Sequence, residues 1–159
     1  MNDKLYIGHI ASFFGLKGEV KIVSNNNHLD KIFKVGNKIF IEDEEHIINT
    51  FRLHKKNVLI SLKGYEHINL IERFLKKNVY INRKDLLLSS NEYLYSDLLN
   101  NKVIYNNKEL GIVSEVLINK INPLIKVNNI IIPLSEKYLE KIDIKNKIIY
   151  VKDIRELII

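Results

Sequence analysis

The chain contains no cysteine among its 159 residues. A disulfide framework, a zinc site with cysteine ligands and a thiol nucleophile are therefore excluded. A chain without cysteine fits a reducing compartment. The N-terminal apolar stretch is short and is interrupted by His9, Ser12 and Gly15, so it predicts neither a signal peptide nor a spanning helix. We therefore expect a cytoplasmic protein without a membrane segment.

Motifs of catalysis and of metal binding are also missing from the sequence. The five histidines do not form an HxH or HExxH pair, and no G-x-S-x-G is present. The GxxG at 15–18 lacks the GK[ST] of a P-loop and lies between two predicted strands. The acidic run at 42–45 favours a solvated hairpin tip over a cation site. We expect no enzyme, no cofactor and no metal.

The charge balance is basic, with a net charge of +6 and a pI near 9.3. Lysine accounts for nearly all of it, since only four of the 25 Lys and Arg residues are Arg. A basic surface favours anionic partners, nucleic acid first. A general compositional bias that replaces Arg by Lys would produce the same excess as solvated surface, so both interpretations stay open.

Short alternating segments predict a mainly β fold. In GEVKIVS (18–24), Val20 and Ile22 point to one face. Turn clusters such as SNNN (24–27) separate this segment from similar ones, and many short strands at close spacing predict a small barrel. One segment differs, because its apolar residues recur at helical spacing over 67–77. The sequence therefore predicts a barrel with one short helix.

The strand pattern is interrupted once, at RKDLLLSSNE (83–92), and then resumes. This interruption is charged at its start, polar at its end and without a strand period. We therefore predict two small β domains, residues 1–83 and 92–159, joined by a linker at 84–91.

Several motifs, taken in order, resemble those of the RimM family. YIGHIASFFGLKGEVKIV (6–23) resembles the opening of that family, with its Gly-(Leu/Ile)-(Lys/Arg)-Gly-Glu-Val turn. EYLYSDLL (92–99) is similar to the family's Glu-Tyr-Tyr-Trp-x-Asp-Leu motif. Further similar segments follow in the family's order: RLHKKNVLISLKGY (52–65), NLIERFLKKNVYI (69–81), ELGIVSEV (109–116), NPLIKV (122–127), IIIP (130–133) and KIDI (141–144).

The resemblance implies a fold and a function. It implies a translation-factor-like six-stranded barrel followed by a PRC-barrel, in an assembly factor that is not an enzyme. Such a factor binds small-subunit ribosomal protein S-nineteen and the immature 30S subunit, and assists maturation of the 30S head and processing of 16S rRNA. We expect a monomer. Two alternatives stay open, an RNA-binding module without affinity for a ribosomal protein and a flavin-binding barrel reductase.

The resemblance also implies a partner-binding segment in the second domain. Tyr93 matches the first tyrosine of the family's Tyr pair, while Leu94 replaces the second and Tyr95 stands where Trp is common. We expect Tyr93, Leu94 and Tyr95 to contact the partner. Asp97 is expected to belong to the same site and to cap the turn that follows it, which would hold Tyr93 in place.

In the first domain, the turn at 13–20 provides the candidates for contact with RNA. Gly15 and Gly18 are expected to supply positive φ at a tight hairpin. Lys17 at the tip is expected to contact phosphate, and Phe14, which stands where the family often has His, is expected to be the exposed one of two neighbouring phenylalanines. The remaining RNA-facing candidates are Arg52 and His54, which share one strand face. That face meets either rRNA or the interior of the sheet.

Overall fold

The computed structural model of the chain describes residues 4–89, 92–117 and 122–158. The chain divides into two compact units, residues 1–89 and 90–159. This division falls inside the predicted linker at 84–91, whose bounds stay a prediction. Among the described residues, no helix is both long enough and apolar enough to span a membrane.

The first unit is a closed six-stranded barrel. Its strands are β1 (Lys4–Phe14), β2 (Glu19–Val23), β3 (Lys38–Ile41), β4 (Glu44–His54), β5 (Asn57–Leu62) and β6 (Asn78–Asn82). They follow the order β1-β2-β5-β4-β3-β6, and β6 pairs with β1 to close the ring. All neighbours are antiparallel. The predicted barrel is thus confirmed.

Alternating side chains fill this barrel. On β2, Val20 and Ile22 are completely buried, and they pair with Ile60 and Val58 of β5. Each such side chain contributes roughly 1.5–3 kcal/mol by leaving water. Leu59 alternates with these inward residues and so lies on the outer face, yet it is also completely buried. Other side chains must therefore cover the outer face of β5.

Two short helices interrupt the barrel strands, α1 (Leu29–Ile32) and α2 (Ile68–Ile71), and α2 continues as a 3-10 turn over Glu72–Phe74. The helix predicted over 67–77 is therefore confirmed in place but is shorter. It ends early because the segment that follows forms backbone hydrogen bonds with β1. Ile10 accepts a hydrogen bond from the Lys76 N–H at 2.8 Å and donates to the Lys77 carbonyl at 2.9 Å.

The second unit contains one six-stranded sheet. Its strands are β7 (Lys102–Tyr105), β8 (Lys108–Leu117), β9 (Leu124–Val127), β10 (Ile130–Pro133), β11 (Leu139–Asp143) and β12 (Ile148–Val151). The order is β10-β9-β8-β7-β12-β11, and only the pairing of β12 with β7 is parallel in it. In the part of the chain that the structure describes, the end strands β10 and β11 do not pair with each other.

One strand of this sheet, β11, was not predicted. Its sequence LEKID places exposed Glu140 and Lys141 side by side, and the pairing with β12 shifts register between Leu139 and Lys141. The bulge hides the two-residue period that identifies a strand in sequence. The core of the unit is apolar and draws on strands to both sides of β8, with Val103 on β7 and Ile149 on β12 to one side and Ile125 on β9 to the other.

Candidate functional site

The β1–β2 turn is fixed by its two glycines. Gly15 and Gly18 have φ of 74° and 80°, in the left-handed region. A Cβ on Gly18 would lie 2.5 Å from the Tyr65 carbonyl oxygen, whereas a Cβ on Gly15 would have nothing within 4 Å. The Leu16 carbonyl accepts a hydrogen bond from the Ile68 N–H at 3.2 Å. The turn is therefore anchored against the start of α2.

Three side chains of this turn face solvent. Phe14 is 40% exposed, Leu16 is 73% exposed and Lys17 is exposed as well. Phe13 is half-buried, because it pairs with Val20, which points into the barrel. Phe14, one position later, takes the outer face. Of the two neighbouring phenylalanines, Phe14 is thus the exposed one, as the sequence indicated.

Residues of β2 and β4 meet beside Phe14, which ends β1. Arg52 donates from Nε to Glu19 Oε2 at 3.0 Å and from Nη2 to Oε1 at 2.9 Å. Its guanidinium carbon lies 5.0 Å from the centre of the Phe14 ring. The His54 ring lies 5.2 Å from the Phe14 ring, tilted by 54°. We call Phe14, Lys17, Glu19, Arg52 and His54 the Phe14 cluster.

The electrostatics of the cluster centre on Glu19. Hydrogen bonds from Arg52 hold the pKa of Glu19 below its ordinary value, against the opposing effect of burial. The charges of Arg52, Lys17 and His54 act in the same direction as those hydrogen bonds. Lys17 and His54 therefore lie close enough to Glu19 to interact with it. The structure thus brings together all four RNA-facing candidates, which stand up to 40 positions apart in sequence.

Further cations and an exposed leucine are neighbours of the cluster in sequence. The turn between β4 and β5 follows His54 directly and consists of Lys55 and Lys56, with φ of 49° and 71°. Leu53 precedes His54 and is 55% exposed. Two-residue turns with positive φ at both positions favour Asn and Gly. Neither these residues nor Glu19 were predicted as site residues from the sequence, although two lysines at such a turn were an available signal.

In the second unit, Tyr93 lies beside a groove. Tyr93 is half-buried against the core and lines a groove of about 490 Å³ together with residues of β11 and of the segment after it. Burial raises the pKa of the Tyr93 hydroxyl, and Tyr95 adds to this effect. Leu139, Lys141 and Ile142 supply the strand side of the groove. A tyrosine with one buried face and a groove beside it is suited to contact with another chain.

The neighbours of Tyr93 have different roles from those predicted. Leu94 is completely buried, so its side chain supports the segment from inside the core and is left out of the proposed contact surface. Tyr95 is half-buried and begins a 3-10 helix, Tyr95–Leu98. Asp97 lies inside that helix, and its Oδ2 accepts from the Leu94 N–H at 3.0 Å. Asp97 thus fixes the residue after Tyr93 and does not cap the following turn, which corrects the expected direction.

A second ionic network joins β4 to the helical segment of the first barrel. Arg73 donates to both oxygens of Glu44, at 3.0 and 2.7 Å, and Glu44 lies 2.8 Å from His46 Nε2. The His46 ring contacts Tyr65 and Phe74 edge to face. Burial lowers the pKa of His46, with Glu44 opposing. These contacts attach the helical segment to β4. Glu44, in the acidic run at 42–45 that was predicted to be a solvated hairpin tip, thus takes part in tertiary contacts.

The same barrel carries another group of aromatic side chains. Tyr6, Tyr80 and Phe40 lie in one row across β1, β6 and β3, and Tyr6 is 47% exposed. Lys4 lies 4.0 Å from the centre of the Phe40 ring and 4.0 Å from Asp43. The charge around this row is mixed, in contrast to the basic surroundings of the Phe14 cluster.

Within residues 4–89, 92–117 and 122–158, no group of three or more His, Asp or Glu side chains could hold a metal ion.

Comparison with known proteins identifies similar chains. The family model described as the RimM N-terminal domain matches residues 5–86. A protein of Exiguobacterium sibiricum named ribosome maturation factor RimM is 29% identical over 164 residues, covering 97% of each chain. One of the same name from Oceanobacillus iheyensis is 32% identical over 160 residues, covering 94% of each. A solved structure, a 16S ribosomal RNA processing protein RimM of Pseudomonas aeruginosa, is 24% identical, covers 94% of this chain and 97% of its own, and has a TM-score of 0.48.

Proposed function

The chain belongs to the RimM family, and from that membership we propose that it acts in ribosome maturation as a binding protein and not as an enzyme. The observation that carries the proposal is the similarity to proteins named ribosome maturation factors over at least 94% of the chain. In finer detail, the chain binds protein S-nineteen and the immature 30S subunit, and assists maturation of the 30S head and processing of 16S rRNA. The Phe14 cluster and the Tyr93 groove are the surfaces we assign to these contacts.

The first unit is proposed to contact rRNA through the Phe14 cluster. Lys17, Lys55 and Lys56 stand at exposed turns, where their ammonium groups can reach phosphate oxygens. Such contacts position a protein on RNA without reading its sequence, and they weaken as salt concentration rises. The net charge of +6 supports the same partner.

The second unit is proposed to bind S-nineteen at the groove beside Tyr93. Tyrosine is common among the residues that dominate protein interfaces, because it offers a large apolar area with a polar end. The Tyr93 ring is held by the core on one side, and Asp97 fixes the backbone next to it. A side chain that is already ordered loses little entropy on binding.

A protein that assists assembly must bind the immature and the mature arrangement of its partner with different affinities. A binding protein shifts an equilibrium only by as much as it prefers one state over the other. We therefore propose that the chain binds the 30S head in an immature arrangement more tightly than in the mature one. Formation of the mature contacts then weakens binding and allows release.

The experiment that tests this proposal is retention of purified S-nineteen by the intact chain at low salt. We expect retention, and we expect Tyr93→Ala to weaken it by more than about 1 kcal/mol, as the loss of an interface anchor usually does. Tyr105→Ala is the matched control, because Tyr105 also packs against the core of this unit but does not line the groove.

Two results would contradict the proposal in different ways. If S-nineteen is not retained at low salt, the partner is wrong, and binding of RNA alone would favour the RNA-binding module without ribosomal-protein affinity. If retention is normal but Tyr93→Ala does not change it, the groove is not the S-nineteen site.

A further inference from the structure

We infer that the Phe14 cluster binds single-stranded RNA by stacking one unpaired base on the exposed face of Phe14. The inference rests on the proposed contact with rRNA and adds to it the form of RNA and the mode of binding. It also assigns stacking to Phe14, positioning to Arg52, and phosphate contact to Lys17 together with Lys55 and Lys56 of the neighbouring turn.

Phe14 is arranged as a stacking surface. Its ring is 40% exposed, while Arg52 and His54 lie against it at 5.0 and 5.2 Å. These two neighbours hold the ring in one orientation before any ligand arrives. A base can then stack on the open face without ordering a mobile side chain. Stacking on an aromatic side chain is the usual way in which proteins hold the bases of single strands.

Arg52 acts on this surface as a positioning residue. One edge of its guanidinium, Nε and Nη2, is bonded to the two oxygens of Glu19. The paired carboxylate neutralises most of the charge that a phosphate would otherwise meet there. What remains is a planar group held beside the Phe14 ring. Arg52 therefore orients Phe14, and Lys17, Lys55 and Lys56 remain for the phosphates.

The charge distribution favours RNA at this cluster over the other aromatic row. Around Phe14, the cations Lys17, Lys55 and Lys56 stand at exposed turns, while Glu19 is paired with Arg52 and Glu66 accepts a hydrogen bond from the Gly64 N–H. The Tyr6 row is bordered by acidic residues at 42 and 43, and its own lysine, Lys4, is near Asp43. An anionic strand is thus attracted to the first site and repelled in part by the second.

The geometry also favours a single strand over a duplex. In A-form RNA the faces of the bases are covered by their neighbours, and proteins contact mainly phosphates and 2′-hydroxyls. The exposed Phe14 ring would gain nothing from a duplex, because it would find no uncovered base there to stack on. An unpaired base covers such a surface and removes apolar area from water.

The experiment measures binding of the full chain to labelled RNA by fluorescence anisotropy. The probes are a single strand of about 10 nucleotides, within the length that a small barrel covers, and the duplex of that strand with its complement. We expect tighter binding of the single strand. Phe14→Ala should weaken it roughly tenfold or more, and Phe14→Tyr should keep it within about twofold.

Control variants separate stacking from charge. Tyr6→Ala removes another exposed aromatic of the same barrel and should leave binding within about twofold of the wild type. Arg52→Gln should weaken single-strand binding with little change in its dependence on salt. Lys17→Ala should instead lower the slope of log affinity against log salt concentration by the amount expected for about one phosphate contact. Thermal unfolding of each variant verifies that the barrel is intact.

The outcomes distinguish this inference from the proposed function. If single strand and duplex bind equally and Phe14→Ala has no effect on either, the stacking inference is overturned while the rRNA contact stands. If neither RNA binds at low salt, both the inference and the rRNA contact fail, although the S-nineteen proposal is untouched. If Arg52→Gln flattens the salt slope as Lys17→Ala does, Arg52 contacts phosphate and its positioning role is refuted.

Discussion

The two glycines of the β1–β2 turn offer a paired test of the structure, because they share a conformation and differ in their surroundings. Gly15 and Gly18 have nearly the same φ, 74° and 80°. A Cβ on Gly15 meets nothing within 4 Å, whereas one on Gly18 meets the Tyr65 carbonyl at 2.5 Å and the His67 nitrogen at 2.7 Å. Alanine at each position therefore separates backbone strain from steric overlap.

The expected magnitudes follow from these contacts. A left-handed backbone costs a residue with a Cβ roughly 1–2 kcal/mol, and this is the whole penalty for Gly15→Ala. Gly18→Ala carries the same penalty and must also push aside the backbone at Tyr65 and His67. Overpacking of this kind costs typically about 1–3 kcal/mol more. We therefore expect Gly18→Ala to destabilise the first unit by roughly 1–3 kcal/mol more than Gly15→Ala.

Native-state amide exchange is the suitable assay, because it reports each unit separately within the intact chain. The probes are the amides of Val20 and Ile60 in the first barrel, with those of Val103 and Ile149 in the second unit as internal control. Each 1.4 kcal/mol of lost stability speeds exchange about tenfold. Equal effects of the two substitutions would refute the close approach of Gly18 to the 65–67 backbone.

Three further predictions concern charged residues. Lys17→Ala should flatten the salt dependence of binding to immature subunits, measured as affinity against salt concentration, and an unchanged slope would remove Lys17 from the RNA surface. Asp97→Ala should speed amide exchange at Leu94 and weaken retention of S-nineteen, because it removes the acceptor of that N–H; unchanged exchange would contradict the contact. Because the folded-state pKa of Glu19 lies below its ordinary 4.5, its pairing with Arg52 stabilises the first unit above that pH and is lost as pH falls through the lowered value. Urea unfolding of Glu19→Gln and of the wild type should therefore differ near neutral pH and converge in acid, and a constant difference would refute this linkage.

The sequence predicted those parts of the fold that depend on local alternation. Val20 and Ile22 point to one face in the pattern and into the barrel in the structure. The helix was predicted too long because its end is set by two hydrogen bonds, from the Lys76 N–H to the Ile10 carbonyl and from the Ile10 N–H to the Lys77 carbonyl, and Ile10 is more than 60 positions away. No local pattern contains such a contact.

Most members of the candidate site were predictable from the sequence, whereas Glu19 and the arrangement of the members were not. Phe14 and Lys17 were identifiable because the conformation of a turn does not require an exposed phenylalanine or lysine. The pairing of Arg52 with Glu19 joins β4 to β2 across β5, so it depends on strand order. Leu94 was expected to contact a partner by analogy with a tyrosine, and its complete burial follows from packing that the motif does not encode.

The central claim is that the chain recognises an immature small subunit. Co-sedimentation of the intact chain with immature and mature 30S subunits at low salt tests it most directly. We expect the chain to sediment with immature subunits and much less with mature ones, and we expect added S-nineteen to compete for it. Equal binding to both kinds of subunit, or binding to neither, would contradict it.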